Sequence, residues 1–462
     1  MGKAAWARVT ADSGVLFDTL AGEGGGVFWS GLYNLLLLAA ALVAAPWYGG
    51  KMLLTGKYRQ SLGPKFGRVA PAIADRLRSG GTPRIWIHAV SVGEVTAAAP
   101  IVAALRSRFP GACLALSTST ETGQAMARKL IPEATAHLYY PLDVPFVVRK
   151  VMSLVNPDLF VPVETELWPN FIRICRERGT GVVMVNGRIS PRSFGRYRVT
   201  RFFWKNILAG LDAAGVISPT DGERLAALGV PRERIHPLGN AKYDGLAAQV
   251  SPELAGEIAG RLGIAPGEPV LVAGSTHAGE EAVVLAVYRR LLAERPGFKL
   301  ILIPRHVERA DAVAALAAQA GFADLLRMSE INAGRPHRGE RVILVDVIGE
   351  LFKLYSLATV VYCGGSLVPK GGQNLLEAAA WGKVVFHGPH MEDFLQERAL
   401  LEAVGGSVTV GDAEALYRGI GALLADPEAL RQRGEAAREI VAANRGAAER
   451  YATLIAAALA RV

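Results

Sequence analysis

Ten short runs of consecutive apolar residues, separated by longer amphipathic stretches, restrict this chain more than any other feature. "RIWIHAV", "CLALSTS", "DLFVPVE", "GVVMVNG" and "AAGVISP" form a first series, and "PVLVAGS", "KLILIPR", "RVILVDV", "TVVYCGGS" and "KVVFHG" a second. Strands that are apolar throughout, rather than alternating, belong to parallel sheets covered by helices on both faces. Repeated strand–helix units therefore predict an α/β protein with doubly wound sheets. At 462 residues the chain exceeds what one hydrophobic core organises, so the two series are read as two domains facing a central cleft. A Gly-, Ala- and Pro-rich stretch between them is read as a linker over 246–266. It separates a domain over 51–245 from one over 267–462, with the last helix free to pack back on the first.

Residues 27–48, "VFWSGLYNLLLLAAALVAAPWY", carry no charge. As a helix they would span about 33 Å, enough for the hydrocarbon core of a bilayer. Trp29 and Tyr33 lie near one end and Trp47 and Tyr48 at the other, as interfacial belts do. Lys51, Lys57, Arg59, Lys65 and Arg68 follow without an acid, while the extension over 1–26 mixes both signs. This asymmetry predicts a single transmembrane anchor with the remaining chain on the cytoplasmic face. The formal net charge of +9 points to anionic partners such as phosphates, acidic sugars or an anionic membrane surface. Cys113, Cys175 and Cys363 form no CxxC pair, which speaks against a disulfide framework or zinc site and for a reducing compartment. No metal-binding spacing, G-x-G-x-x-G fingerprint or P-loop follows any strand, so no metal and no resident cofactor are expected.

Several loops fall at presumed strand ends, where open α/β sheets place ligands. In "HAVSVGEVTAAAP", Glu94 opens a helix; it either favours the helix dipole or offers a carboxylate to a ligand. Beside the dipole it is expected to stay ionised. "VPVETELWPNF" points Glu164 and Glu166 to one side, for sugar hydroxyls or for capping the next helix. Ser275 and Thr276 of "AGSTHAGEEAVV" suit either an anion or an N-cap. In "YCGGSLVPKGGQNLLEAAAWG", close approach of a phosphate would explain the glycines around Gly365, Ser366, Gly371 and Gly372. Asn374 and Glu377 have capping-box spacing, and Glu377 alternatively accepts from ribose hydroxyls. The basic-aromatic run holding Arg188, Arg192 and Arg196 suits an anionic amphiphile; RNA is its rival, disfavoured by the anchor.

Together these motifs resemble the 3-deoxy-D-manno-octulosonic acid (Kdo) transferases. "KYRQSLGPKFG", "HAVSVGE", "STSTETG", "ETELWPN", "NGRIS", "GNAKYD", "GSTHAGEE", "PRH", "GGSLVPKGGQNLLEAAA" and "GPHMEDF" stand in family order from the anchor almost to the C-terminus. The resemblance implies the GT-B architecture of two Rossmann-like domains. It also implies a membrane-anchored enzyme of the inner membrane that moves Kdo from CMP-Kdo to the lipid A precursor. By the same resemblance Glu94 is the general base, and Glu164 and Lys242 stabilise the transition state. Pro304, Arg305, Ile348, Gly349, Glu350, Asn374, Leu375, Leu376 and Glu377 would hold CMP, with Gly365, Ser366, Ser275 and Thr276 beside them. Arg59, Arg188, Arg192 and Arg196 would face the acceptor, and no nucleic acid is expected as a partner. The rival readings are a GT-B transferase using a UDP-sugar on a lipid acceptor, and a non-catalytic lipid-binding scaffold.

Overall fold

Strand-forming Val, Ile and Leu runs assemble into two wholly parallel sheets, each with seven strands. The computed structural model of the chain describes residues 25–55, 59–337 and 339–461. It divides into two compact units: Leu246–Arg445, and the remainder, in which Gly446 onward joins the residues up to Gly245.

The first sheet comprises β1 (Arg84–His88), β2 (Cys113–Thr118), β3 (Ala136–Tyr139), β4 (Leu159–Pro162), β5 (Gly181–Gly187), β6 (Ala213–Val216) and β7 (Ile235–Pro237). Their spatial order is β3-β2-β1-β4-β5-β6-β7. Successive side chains enter opposite cores, as the pleat requires. Ile85, Ile87, Leu159 and Val161 join one buried cluster with helix Val92–Arg108 and the last helix, Ala447–Leu459. Trp86, Phe160 and Phe171 pack in the other. The last helix is tied to this unit by Asp244, whose carboxylate accepts from Gly446 N (2.5 Å) and Ala448 N (3.0 Å).

The second sheet comprises β8 (Val270–Thr276), β9 (Lys299–Pro304), β10 (Leu325–Arg327), β11 (Val342–Leu344), β12 (Val360–Cys363), β13 (Val384–His387) and β14 (Ser407–Thr409). Its order is β10-β11-β9-β8-β12-β13-β14. All ten apolar runs are strands. The four strands without such a run, β3, β7, β10 and β14, are the edges of the two sheets. The stretch 246–266 is not bare linker: it carries helix Pro252–Leu262 and belongs to the second unit.

A helix runs over Gly25–Thr55, passing through Pro46. Its N-terminal half is pinned to the first unit. Tyr33 donates to Asp143 (2.9 Å), Asn170 Nδ2 donates to Asn34 Oδ1 (2.8 Å), and the Trp29 and Phe202 rings lie 4.7 Å apart. Further along, Leu35, Leu36, Leu38, Leu42 and Val43 stand exposed, Val43 at 81%. Among the described residues no helix is long and apolar enough to cross a membrane. The side chains of residues 25–28, 45, 47 and 48 lie outside the described residues, as do residues 1–24 of the extension over 1–26. The transmembrane reading of 27–48 thus rests on the sequence.

Candidate active site

In a doubly wound sheet the strand-end loops diverge where the strand order reverses, leaving a crevice for ligands. That point lies between β1 and β4 in the first sheet and between β8 and β12 in the second.

In the first unit, the loop after β1 turns at Ser91 and enters helix Val92–Arg108 with Glu94 in its first turn. The Glu94 carboxylate, only 9% exposed, folds back onto its own loop. Its Oε2 accepts from Val90 N (2.6 Å) and its Oε1 from Ser91 Oγ (2.9 Å). Each oxygen keeps a further lone pair for a ligand proton. Burial pushes this carboxyl up to about 8, the nearby charges of Glu164 and Glu166 add to the rise, and the two hydrogen bonds oppose it. The expectation of a carboxylate that stays ionised beside the helix N-terminus is therefore corrected: burial raises this carboxyl.

The loop after β4 carries Glu164, a non-glycine residue at φ +60°. Such backbone costs about 1–3 kcal/mol and tends to mark functional sites. Glu164 Oε1 receives Lys242 Nζ at 2.8 Å, both side chains being about one-quarter exposed. Lys242 opens helix Lys242–Gln249, and the turn before it is fastened by Asn186 Oδ1, which accepts from Ala241 N (2.9 Å). Thr165 donates to the Arg188 carbonyl, joining "ETELWPN" to "NGRIS". Glu166 instead accepts from Trp168 Nε1 (2.9 Å) and is raised by burial. Glu94, Glu164 and Lys242 thus meet at one switch point. Arg188 is half-buried and Arg196 exposed on helix Pro191–Val199, while the side chains of Arg59 and Arg192 lie outside the described residues.

In the second unit, Ser275, Pro304, Arg305, Ile348, Gly349 and Glu350 line one cavity of about 270 Å³. Asn374 and Glu377 have the spacing of a capping box but do not form one, the helix being capped at Leu375: Asn374 Oδ1 accepts from Leu376 N (3.1 Å), and Asn374 Nδ2 donates to the Glu377 carboxylate (3.4 Å). Burial pushes the Glu377 carboxyl up to about 7, opposed by Asn374 and the Arg305 guanidinium. Other expected donor contacts are not available as side chains. Thr276, Ser366, Leu375 and Leu376 are at most 1% exposed. Nor are the Gly365 and Ser366 N–H groups free for a phosphate, because both donate to Glu280 (2.7 and 3.0 Å). Gly371 and Gly372 answer to packing: a Cβ there would meet Asp393 Oδ2 at 2.4 Å and Met391 Sδ at 2.3 Å.

Sequence reasoning missed Ser91, Asn186 and Glu280. Ser91 and Asn186 sit inside the recognised motifs but act by bonding across them. Glu280, fully buried in "GSTHAGEE", shows no pattern that separates it from an ordinary first-turn acid.

The fold defines a class. A glycosyltransferase from Rickettsia africae (15% identity, 82% of this chain and 99% of that one, TM-score 0.56) shares the two-sheet fold. So does a putative UDP-N-acetylglucosamine 2-epimerase from Listeria monocytogenes (16%, 82% and 97%, TM-score 0.59). Sequence narrows the class. The family described as 3-deoxy-D-manno-octulosonic-acid transferase (kdotransferase) matches residues 60–245. The 3-deoxy-D-manno-octulosonic acid transferase of Haemophilus influenzae is 34% identical over 429 residues, 92% of this chain and 98% of its own. That of Bordetella pertussis is 32% identical, covering 91% and 97%. The chain belongs to the 3-deoxy-D-manno-octulosonic acid transferase family, and is a glycosyltransferase.

Proposed function

We propose that the protein transfers Kdo from CMP-Kdo to a glucosamine hydroxyl of the lipid A precursor, with Glu94 as general base. The observation that carries this reading is a buried carboxylate beside the Glu164–Lys242 pair at the switch point of the first sheet. A general base works best when its pKa lies near the operating pH, and burial moves Glu94 into that range. Its carboxylate takes the proton of the acceptor hydroxyl as that oxygen attacks the anomeric carbon. The bond from that carbon to the phosphate oxygen breaks, and CMP departs from the opposite face with the electron pair, inverting the centre. Lys242, oriented by Glu164, offsets the negative charge that develops. In the second unit, the cavity lined by Ser275, Arg305 and Glu350 receives the nucleotide, with Glu377 at its ribose. No step in this reading calls for a metal or a resident cofactor.

The test is mass spectrometry of the product formed from CMP-Kdo and a tetra-acylated acceptor. The reading expects a gain of one or more Kdo masses, inhibited by CMP. A product formed only from a UDP-sugar and inhibited by UDP would replace it.

The exposed leucines of helix Gly25–Thr55, beyond its bonds to Asp143 and Asn170, support contact of this helix with a bilayer, and the run of Lys and Arg without an acid after residue 50 supports placing both units on the cytoplasmic face of the inner membrane. An arginine near the middle of a span costs about 2.5–3.5 kcal/mol by insertion measurements. The protein should accordingly resist extraction from membranes by alkaline wash, and Leu38→Arg with Leu42→Arg should release much of it. Equal retention of both proteins in the membrane pellet would remove this helix as the anchor.

A further inference from the structure

An edge strand pairs on one side only, and something other than a strand must cover its free side. β3 is such an edge, hydrogen-bonded to β2 alone. Beside it lies a cavity of about 540 Å³, walled by β3, helix Glu121–Leu130 and residues 64–73. Ligand cavities run to about 300–1,000 Å³, so this one has room for a phosphorylated sugar.

The polar groups on its walls are mostly donors. Arg68 and Arg128 line it, are exposed, and make no ion pair or side-chain hydrogen bond among the described residues. Gln124 is buried, and its Oε1 accepts from Thr118 Oγ1 (2.6 Å), which leaves its amide N–H groups to the cavity. Glu121 is the acid among the lining residues, and half-buried Lys65 faces it. Three cations therefore stand around one carboxylate. His137 adds no charge: burial holds its imidazole below the usual range, and the charges of Arg128 and Arg76 add to this against its bonds to the Ile131 and Ala127 carbonyls. Two unpaired guanidiniums on one cavity favour an anion, and their forked donors match the oxygens of a phosphate.

The same helix borders the proposed base. Glu121, Gln124, Ala125 and Arg128 recur at helical spacing and form its face toward the cavity. The other flank of its first turn meets the loop that holds Glu94. A Cβ on Gly123 would stand 3.1 Å from the Val90 oxygen. Thr120 Oγ1, which caps Gly123 N (2.9 Å), donates to that same oxygen (3.3 Å). Val90 N in turn donates to Glu94. One helix, about 10–12 Å across with its side chains, thus separates the Glu94 loop from the cavity. We infer that this cavity binds a phosphate of the acceptor lipid through Arg68 and Arg128 while a hydroxyl of the same molecule reaches Glu94. The inference rests on the acceptor reading above. The lipid A precursor is a phosphorylated glucosamine disaccharide, long enough to cross the helix terminus. Holding its phosphate fixes its register, and with it the hydroxyl presented to the base.

The test is steady-state kinetics of the full chain in neutral detergent with CMP-Kdo and two acceptors, the phosphorylated tetra-acylated disaccharide and the same lipid without its phosphates. With the phosphorylated acceptor, Arg68→Ala and Arg128→Ala should each raise KM about 10-fold, the usual worth of a hydrogen bond to a charged group. The kcat and the KM for CMP-Kdo should stay within about 2-fold, as for loss of uniform binding. Removing the phosphates should raise the wild-type KM by at least as much, and neither substitution should add to that rise. Equal effects of substitution on both acceptors, or none on either, would overturn the site. So would an effect seen only in vesicles containing phosphatidylglycerol, which would assign the arginines to bilayer headgroups. Wild-type protein that transfers Kdo to neither acceptor would overturn the acceptor reading beneath it.

Discussion

Glu94→Gln should yield a folded protein that is more heat-stable than wild type yet transfers Kdo about 10²–10⁴-fold more slowly. The two effects share one cause. Glutamine keeps the shape of the side chain and can still accept from Val90 N, while its amide donates to Ser91 Oγ. It cannot take a proton from the acceptor. Glutamate also carries a cost that glutamine lacks: its carboxyl rises from an ordinary value of 4.5 to about 8 on folding. Because the folded value is the higher, the native state prefers the protonated acid, and ionising it destabilises the fold. Relative to glutamine, wild type should be unimpaired below about pH 4.5 and lose stability progressively up to about pH 8. The difference near pH 7 is on the order of 3 kcal/mol. Thermal melts at pH 5 and pH 8 measure it, and a glutamine variant that melts lower at both would contradict the account. Stability held back at the reacting group is a common feature of active sites.

The second large effect is expected at Glu280. Alanine there strands four backbone N–H groups and the Tyr362 hydroxyl around a space that the carboxylate filled. A buried donor left unsatisfied costs about 1–3 kcal/mol, and some donors will recover by local shifts. A net loss of about 5 kcal/mol would lower the melting temperature by about 10–20 °C in a unit of this size. Differential scanning calorimetry should register it as destabilisation of the second unit. A drop of less than about 3 °C would mean that the loop does not depend on this carboxylate.

The parallel sheets were legible because burial on both faces writes itself as an unbroken apolar run, as in "KLILIP" and "CLALS". The edges were not. β3 ("AHLY"), β7 ("IHP"), β10 ("LLR") and β14 ("SVT") have three or four residues and pair on one side only, so their apolar signal never accumulates. Motif recognition located Glu94, Glu164 and Lys242, but it could not show the carboxylate folded back on Ser91, nor that burial raises it. Those depend on solvent exclusion by residues distant in sequence. The glycine loop misled for a related reason. "GGSL" has the composition of a phosphate cradle, and only the fold reveals that Glu280, 85 positions before Gly365, already occupies it.

The central claim is that Glu94 supplies the base, and the pH dependence of kcat/KM with CMP-Kdo and a lipid acceptor tests it most directly. The account predicts an ascending limb with its midpoint near 8 in wild type, the value to which burial raises this carboxyl, and its disappearance in Glu94→Gln. A wild-type limb centred near 4.5, or a glutamine variant that keeps the wild-type rate and limb, would contradict it.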